Sequence, residues 1–152
     1  MNRILIATDG SPSAQQAVDF GLELAAEEAA TVTFVHVVPA IDVVPSAGFG
    51  FTGAVPHELR ETDTELLEQA RARAEEAGVT AHTRLLRVEP ADEIVAYADT
   101  VDADVIVVGS RGHGAVTSVL LGSVSRAILR EARRPVLVVR GAAARHEAAV
   151  AV

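Results

Sequence analysis

The chain has 152 residues, 49% of them hydrophobic, and a formal net charge of −8. That length is one domain with room for a sizeable core, and the acidic balance argues against nucleic acid as a partner, since a phosphate backbone requires a basic footprint. No apolar run reaches the ~18 residues of a membrane span; there is no cysteine for disulfides or thiolate metal sites; and all 13 basic residues are arginine, so the lysine of a Walker A phosphate loop is missing.

Asn2 to Ala7 reads as a first strand with no secretory leader before it, which together with the lack of cysteine suggests a cytoplasmic protein. Thr8-Asp9-Gly10-Ser11-Pro12 is a turn, with Ser11 suited to a helix N-cap and Pro12 to the first helical position. The helix runs to about Ala30, with Ala14, Ala17, Val18, Gly21, Leu22 and Ala25 forming one apolar stripe. Thr31 to Val38 is β-branched and reads as the second strand. A strand, a helix and a strand in this short span form a βαβ unit, hence parallel strands with a right-handed crossover.

Pro39 to Pro56 is loop-like, with three prolines and three glycines. A loop this long suggests either a flap near a ligand mouth or a plain connection. His57 to Ala77 reads as a second helix with a solvated, charged face, closed by Gly78. His57 and His82 show no partner pattern. Val79 to Val88 is a third strand whose partial alternation suits a sheet edge. Glu89-Pro90 opens a third helix, in which Ala91, Ile94, Val95, Ala98 and Val101 face the sheet. Asp102 and Asp104 flank the entry to a fourth strand, Val105 to Val108, an unbroken apolar run of the kind buried on both faces. A fourth helix spans roughly Val124 to Glu131, and Val136 to Val139 is the fifth strand. The domain is expected over residues 1–141, with 142–152 an alanine-rich flexible tail.

Between the fourth strand and fourth helix lie Gly109, Gly112 and Gly114, then Gly122-Ser123-Val124-Ser125. Glycines let a backbone approach a ligand closely. Successive loop amides and a helix N-terminus together make an anion cradle, and the hydroxyls of Ser123 and Ser125 are candidate donors to phosphoryl oxygens. The same residues also suit ordinary tight turning and helix capping.

The pattern Gly109-x-x-Gly112, nine residues, Gly122-Ser123 resembles the nucleotide-binding signature of the universal stress protein family. The likeness runs from Arg3 to Arg140 and includes I-L-I-A-T-D-G-S at the start, the V-H-V-V strand and the terminal R-P-V-L-V-V. It implies a Rossmann-like α/β fold with a doubly wound five-stranded parallel sheet in the order 3-2-1-4-5 and helices on both faces. In such a sheet the ligand lies beyond the carboxyl ends of the strands where the order reverses, here between strands one and four. Asp9 and Gly109 would meet there.

The resemblance implies ATP as the ligand, with Mg²⁺, in a nucleotide-dependent regulator of stress response with little or no hydrolysis. Asp9 would bind ribose hydroxyls or the metal; its alternative role is an Asx turn. Ala7 and Thr8 would line the same wall, and the Val37 backbone would read the adenine edge. Gly109, Ser110, Arg111, Gly112, His113 and Gly114 would form the phosphate loop, although Arg111 and His113 also suit solvent. His36 points away from Val37 on an alternating strand and suits a structural role. No Ser-His-Asp signature, H-E-x-x-H motif or cysteine pair supplies a catalytic group. A slow ATPase or nucleotidyl-transfer enzyme is one alternative, although T-D-G-S-P-S departs from the pyrophosphatase loop; a nucleotide-free interaction dimer is another. The apolar fifth strand, Val136, Leu137, Val138 and Val139, is the expected homodimer edge.

Overall fold

The computed structural model describes residues 1–45, 52–111 and 121–140. Its elements in chain order are β1 (Arg3–Ala7), α1 (Pro12–Glu28), β2 (Thr31–Val38), β3 (Ile41–Pro45), β4 (Thr52–Pro56), α2 (Glu61–Glu76), β5 (Ala81–Arg87), α3 (Pro90–Thr100), β6 (Val105–Gly109), α4 (Ser123–Glu131) and β7 (Val136–Val139). The main sheet has the order β5-β2-β1-β6-β7, and every pairing in it is parallel. Numbered by its own five strands, that is the expected order 3-2-1-4-5. The segment 142–152, expected to be a tail, lies outside the described residues.

Strand alternation sorts the core onto both faces. Ile4 and Ile6 of β1, Val32 and Phe34 of β2, and Val105 and Val107 of β6 pack in one cluster with residues of α1 and α2. Leu5, Val35, Ile106 and Val108 pack in the other with Ile94 and Ala98 of α3 and Ile128 of α4. Ile4–Ile6 of β1 and Val105–Val108 of β6 are apolar without a break because helices cover both sides of these strands. Phe34 is fully buried, a contribution of about 1.5–3 kcal/mol for a side chain of that size.

The helix ends follow local chemistry. The hydroxyl of Ser11 accepts a hydrogen bond from the Ala14 amide at 3.3 Å, and Pro12 occupies the first turn. Gly78, directly after the last turn of α2, takes φ +69, the left-handed conformation that glycine accepts most easily. Asp104 accepts hydrogen bonds from the amides of Asn2 and Arg3 at 2.6 and 2.9 Å, tying the entry of β6 to the start of β1.

Two expectations are corrected. The segment 39–56 is not simply a loop: Ile41–Pro45 and Thr52–Pro56 pair as an antiparallel hairpin, with Ile41 opposite Pro56 and Val44 opposite Gly53. The prolines had argued against strands, but Pro45 and Pro56 both close their strands on a two-stranded ribbon, where a missing N–H is tolerated. The second helix starts at Glu61 rather than His57. The Asp63 carboxylate accepts from the Arg60 amide at 3.0 Å, while the Asp63 amide donates back to the Arg60 carbonyl at 3.0 Å, so the helix begins there.

Candidate functional site at the sheet crossover

β1 and β6 are adjacent, and from them the chain leaves to opposite sides of the sheet order. Their carboxyl ends carry Thr8-Asp9-Gly10 and Ser110-Arg111. The two turns are joined by serine hydroxyls at the start of α1. The Ser11 hydroxyl donates to the Arg111 carbonyl at 3.3 Å. The Ser13 hydroxyl lies 3.2 Å from that of Ser110 and accepts from the Arg111 amide at 3.3 Å. Ser11 and Ser110 are buried. Ser13 is not among the candidate residues of the sequence; a hydroxyl one position after a Pro at the helix start is the signal that marks it.

Glycine at position 109 has a packing reason. A Cβ there would lie 2.7–2.8 Å from backbone atoms of Ser13 and Ala14. This lets the end of β6 press directly onto the first turn of α1. Gly10 has φ +78, so the turn after β1 does use glycine's left-handed freedom. The Asp9 carboxylate accepts from the Ser11 amide at 2.9 Å, so the Asx-turn role is real. Asp9 is half-buried at the crevice mouth.

Beyond the loop, the Gly122 amide donates to the Ser110 carbonyl at 2.7 Å. Gly122 caps α4 with φ −70, a conformation open to any residue. The hydroxyl of Ser125 is buried and lies 3.2 Å from the Ser110 carbonyl and 3.1 Å from that of Gly122. It is engaged within the protein at both carbonyls. Ser123 and Val124 are exposed at the same helix start. First-turn amides have no partner in a helix's own ladder. The start of α4 is therefore held against the end of β6. Gly112, His113 and Gly114 lie outside the described residues.

The geometry around Val37 was not legible beforehand. Ala7 is the last β1 residue in register, opposite Val35, whereas β2 continues to Val38. The Val35 carbonyl accepts from Thr8 on the β1 side, and the Val38 carbonyl accepts from Val88 on the β5 side. Backbone groups alternate sides along a parallel strand. Those of Val37 therefore face where β1 has already ended, which is the crevice. The His36 side chain lies on the sheet face opposite that of Val37, as expected, and its Nδ1 lies 2.9 Å from the Thr8 carbonyl.

A separate open cavity of about 560 Å³ lies near the amino ends of the strands, with Arg3, His82 and Tyr97 in its wall. Ligands of doubly wound sheets bind at the carboxyl ends, so the crossover crevice is the stronger candidate. Among the described residues, no three His, Cys, Asp or Glu side chains are grouped to hold a metal ion, and no helix is long and apolar enough to cross a membrane.

This is an α/β protein with a crossover crevice walled by main-chain groups and hydroxyls. Residues 1–140 match the universal stress protein family, and the chain belongs to it. It is 38% identical over 141 residues to universal stress protein MJ0531 of Methanocaldococcus jannaschii, covering 91% of this chain and 81% of that protein. It is 35% identical over 146 residues to universal stress protein YxiE of Bacillus subtilis, covering 91% and 99%. A family member from Burkholderia pseudomallei superposes with TM-score 0.70 at 33% identity, over 91% of this chain and 95% of that one. A universal stress protein in complex with cAMP gives 0.68 at 29%, over 91% and 95%. One from Archaeoglobus fulgidus in complex with dAMP gives 0.65 at 28%, over 91% and 97%.

Proposed function

We propose that this chain binds ATP in the crevice between β1 and β6 and acts as a nucleotide-dependent regulator in stress response, in the cytoplasm, with little or no hydrolysis. The observation that carries the reading is the convergence of three features on one crevice: the Thr8–Gly10 turn, the end of β6 locked to it by Ser11 and Ser13, and the start of α4 held on Ser110. A helix start favours a phosphate, and the outward backbone of Val37 suits an adenine edge. Structural relatives in complex with cAMP and dAMP support an adenine nucleotide as the ligand class.

Asp9 fits a Mg²⁺ that arrives with the phosphates. Magnesium is commonly held by one or two carboxylates plus phosphate oxygens and waters, and Asp9 supplies one carboxylate where no larger acidic cage is described. The metal would neutralise phosphate charge against the crevice. The hydroxyls of Thr8, Ser11, Ser13 and Ser110 order the wall and offer no general base, which supports a binding role over turnover.

β7 is an edge strand whose Val136, Leu137 and Val138 are half-buried. Pairing with a second copy would cover that edge symmetrically, and a homodimer is the assembly we assign.

Equilibrium titration with labelled ATP tests the site, comparing the parent chain with Gly122→Val. A branched side chain at the cap of α4 is expected to weaken binding at least about tenfold, roughly 1.4 kcal/mol. Equal affinity in both proteins would remove the crevice as the binding site.

A further inference from the structure

Four side chains that the nucleotide reading leaves unused are joined end to end. His57 is buried, its side chain only 3% exposed, just before α2. Its Nδ1 lies 2.9 Å from the Asp42 carboxylate on β3, and its Nε2 lies 3.2 Å from the Asp63 carboxylate in the first turn of α2. The other Asp63 oxygen lies 3.3 Å from Nε2 of His36 on β2, whose Nδ1 meets the Thr8 carbonyl. The chain of contacts thus runs from the hairpin, through the start of α2, to the floor of the crevice.

The chemistry of His57 is constrained by its partners. Ionised carboxylates only accept hydrogen bonds, so both contacts are made only when both ring nitrogens carry hydrogen. That species is the imidazolium; a neutral ring makes one bond and turns a lone pair toward the other carboxylate. We propose that Asp42, His57, Asp63 and His36 form a proton-controlled latch that docks the β3–β4 hairpin against the start of α2 beside the crevice and releases it when His57 loses its proton.

Among the described residues, the charged groups facing the latch are Asp42 from β3, Arg60 and Asp63 from the start of α2, and His36 from β2. Arg60 donates to the second Asp42 oxygen at 2.6 Å. β5 places Leu85 beside His36, and Glu58 and Glu61 are exposed. The hydrogen bonds that His57 donates to Asp42 and then to Asp63 raise its pKa against the opposing effect of burial. The His57 hydrogen bond, aided by Arg60, lowers that of Asp42. Burial alone would raise Asp63, but the Arg60 amide, His57 and His36 together bring it below its usual value.

The direction in pH follows. A raised imidazole contributes fully below the ordinary value of about 6.5 and is lost as pH rises through the raised folded value. The lowered carboxylates contribute above their ordinary value, about 3.9, and are lost as pH falls through their folded values. The hairpin is docked in mildly acidic solution and released as pH rises through the raised His57 value. Release leaves the hairpin attached through its flanking chain, with Ile41, Val44 and Val55 already exposed on it. The inference does not require that a nucleotide binds.

The test is amide hydrogen exchange of β3 and β4, corrected for intrinsic rates, from about pH 5.5 to about pH 9, beside an NMR titration of the His57 ring. In the parent chain, hairpin protection should fall by up to about tenfold per pH unit above the His57 midpoint, while β1 and β6 amides keep theirs. His57→Gln should abolish the step. Asp42→Asn, a half-exposed hairpin position, should move both midpoints to lower pH. Protection that stays flat through the His57 midpoint, a step that survives in His57→Gln, or unmoved midpoints in Asp42→Asn would each overturn the latch.

Discussion

The α-carbon of Gly109 faces the backbone of Ser13 so closely that a Cβ on it would stand 2.7 Å from the Ser13 carbonyl carbon. Neither partner is a side-chain end that can swing aside. Gly109→Ala is therefore expected to push the first turn of α1 off β6 and to cost about 1–3 kcal/mol, the range of overpacked sites. Urea denaturation measures it. A midpoint equal to the parent's would mean that this contact yields freely.

Asp9 has a structural bond that an amide oxygen can also make, since the Ser11 amide needs only an acceptor. Asp9→Asn should consequently keep that turn bond and the folded state. On the proposed reading Mg²⁺ raises the ATP affinity of the parent, and Asp9→Asn should abolish that gain. Titrations with and without the metal decide it; an undiminished gain in the variant would take Asp9 out of the metal role.

Asp104 joins β6 to the chain start, and hydrogen bonds from the Asn2 and Arg3 amides lower its pKa. A lowered carboxylate stabilises above its ordinary value and loses that effect as pH falls through its folded value. Asp104→Ala should unfold at a lower urea concentration than the parent at pH 7, and the gap should close in strong acid. Midpoint curves that stay parallel down to about pH 2.5 would show that the charge of Asp104 plays no part.

The β7 edge predicts an assembly. Placing a charge on an edge strand blocks pairing with a second copy, so if the proposed dimer forms, the parent should sediment as a dimer and Leu137→Arg as a monomer. A parent that is already monomeric at micromolar concentration would dismiss the dimer.

Much of this architecture could be read along the chain. Asn2 to Ala7 announced the first strand, the run Val105–Val108 a strand covered on both faces, and Ser11-Pro12 the start of α1. The hairpin was obscured because prolines and glycines lower the strand signal, while its pairing joins residues as far apart as Ile41 and Pro56. His57 carried no sign of its partners, since Asp42 lies 15 residues away and Asp63 reaches it only because Arg60 ends the loop and starts the helix.

From the order of residues alone came the alternation of strands and helices, the glycine-serine loop and the family likeness, because hydrophobic period and turn chemistry act between near neighbours in the chain. Only the folded sheet decided that β2 outruns β1 and turns the Val37 backbone toward the crevice, that Gly109 is small to admit α1, and that Ser125 turns inward. Those outcomes depend on which strands lie side by side and where each one stops, and packing across the whole molecule determines that.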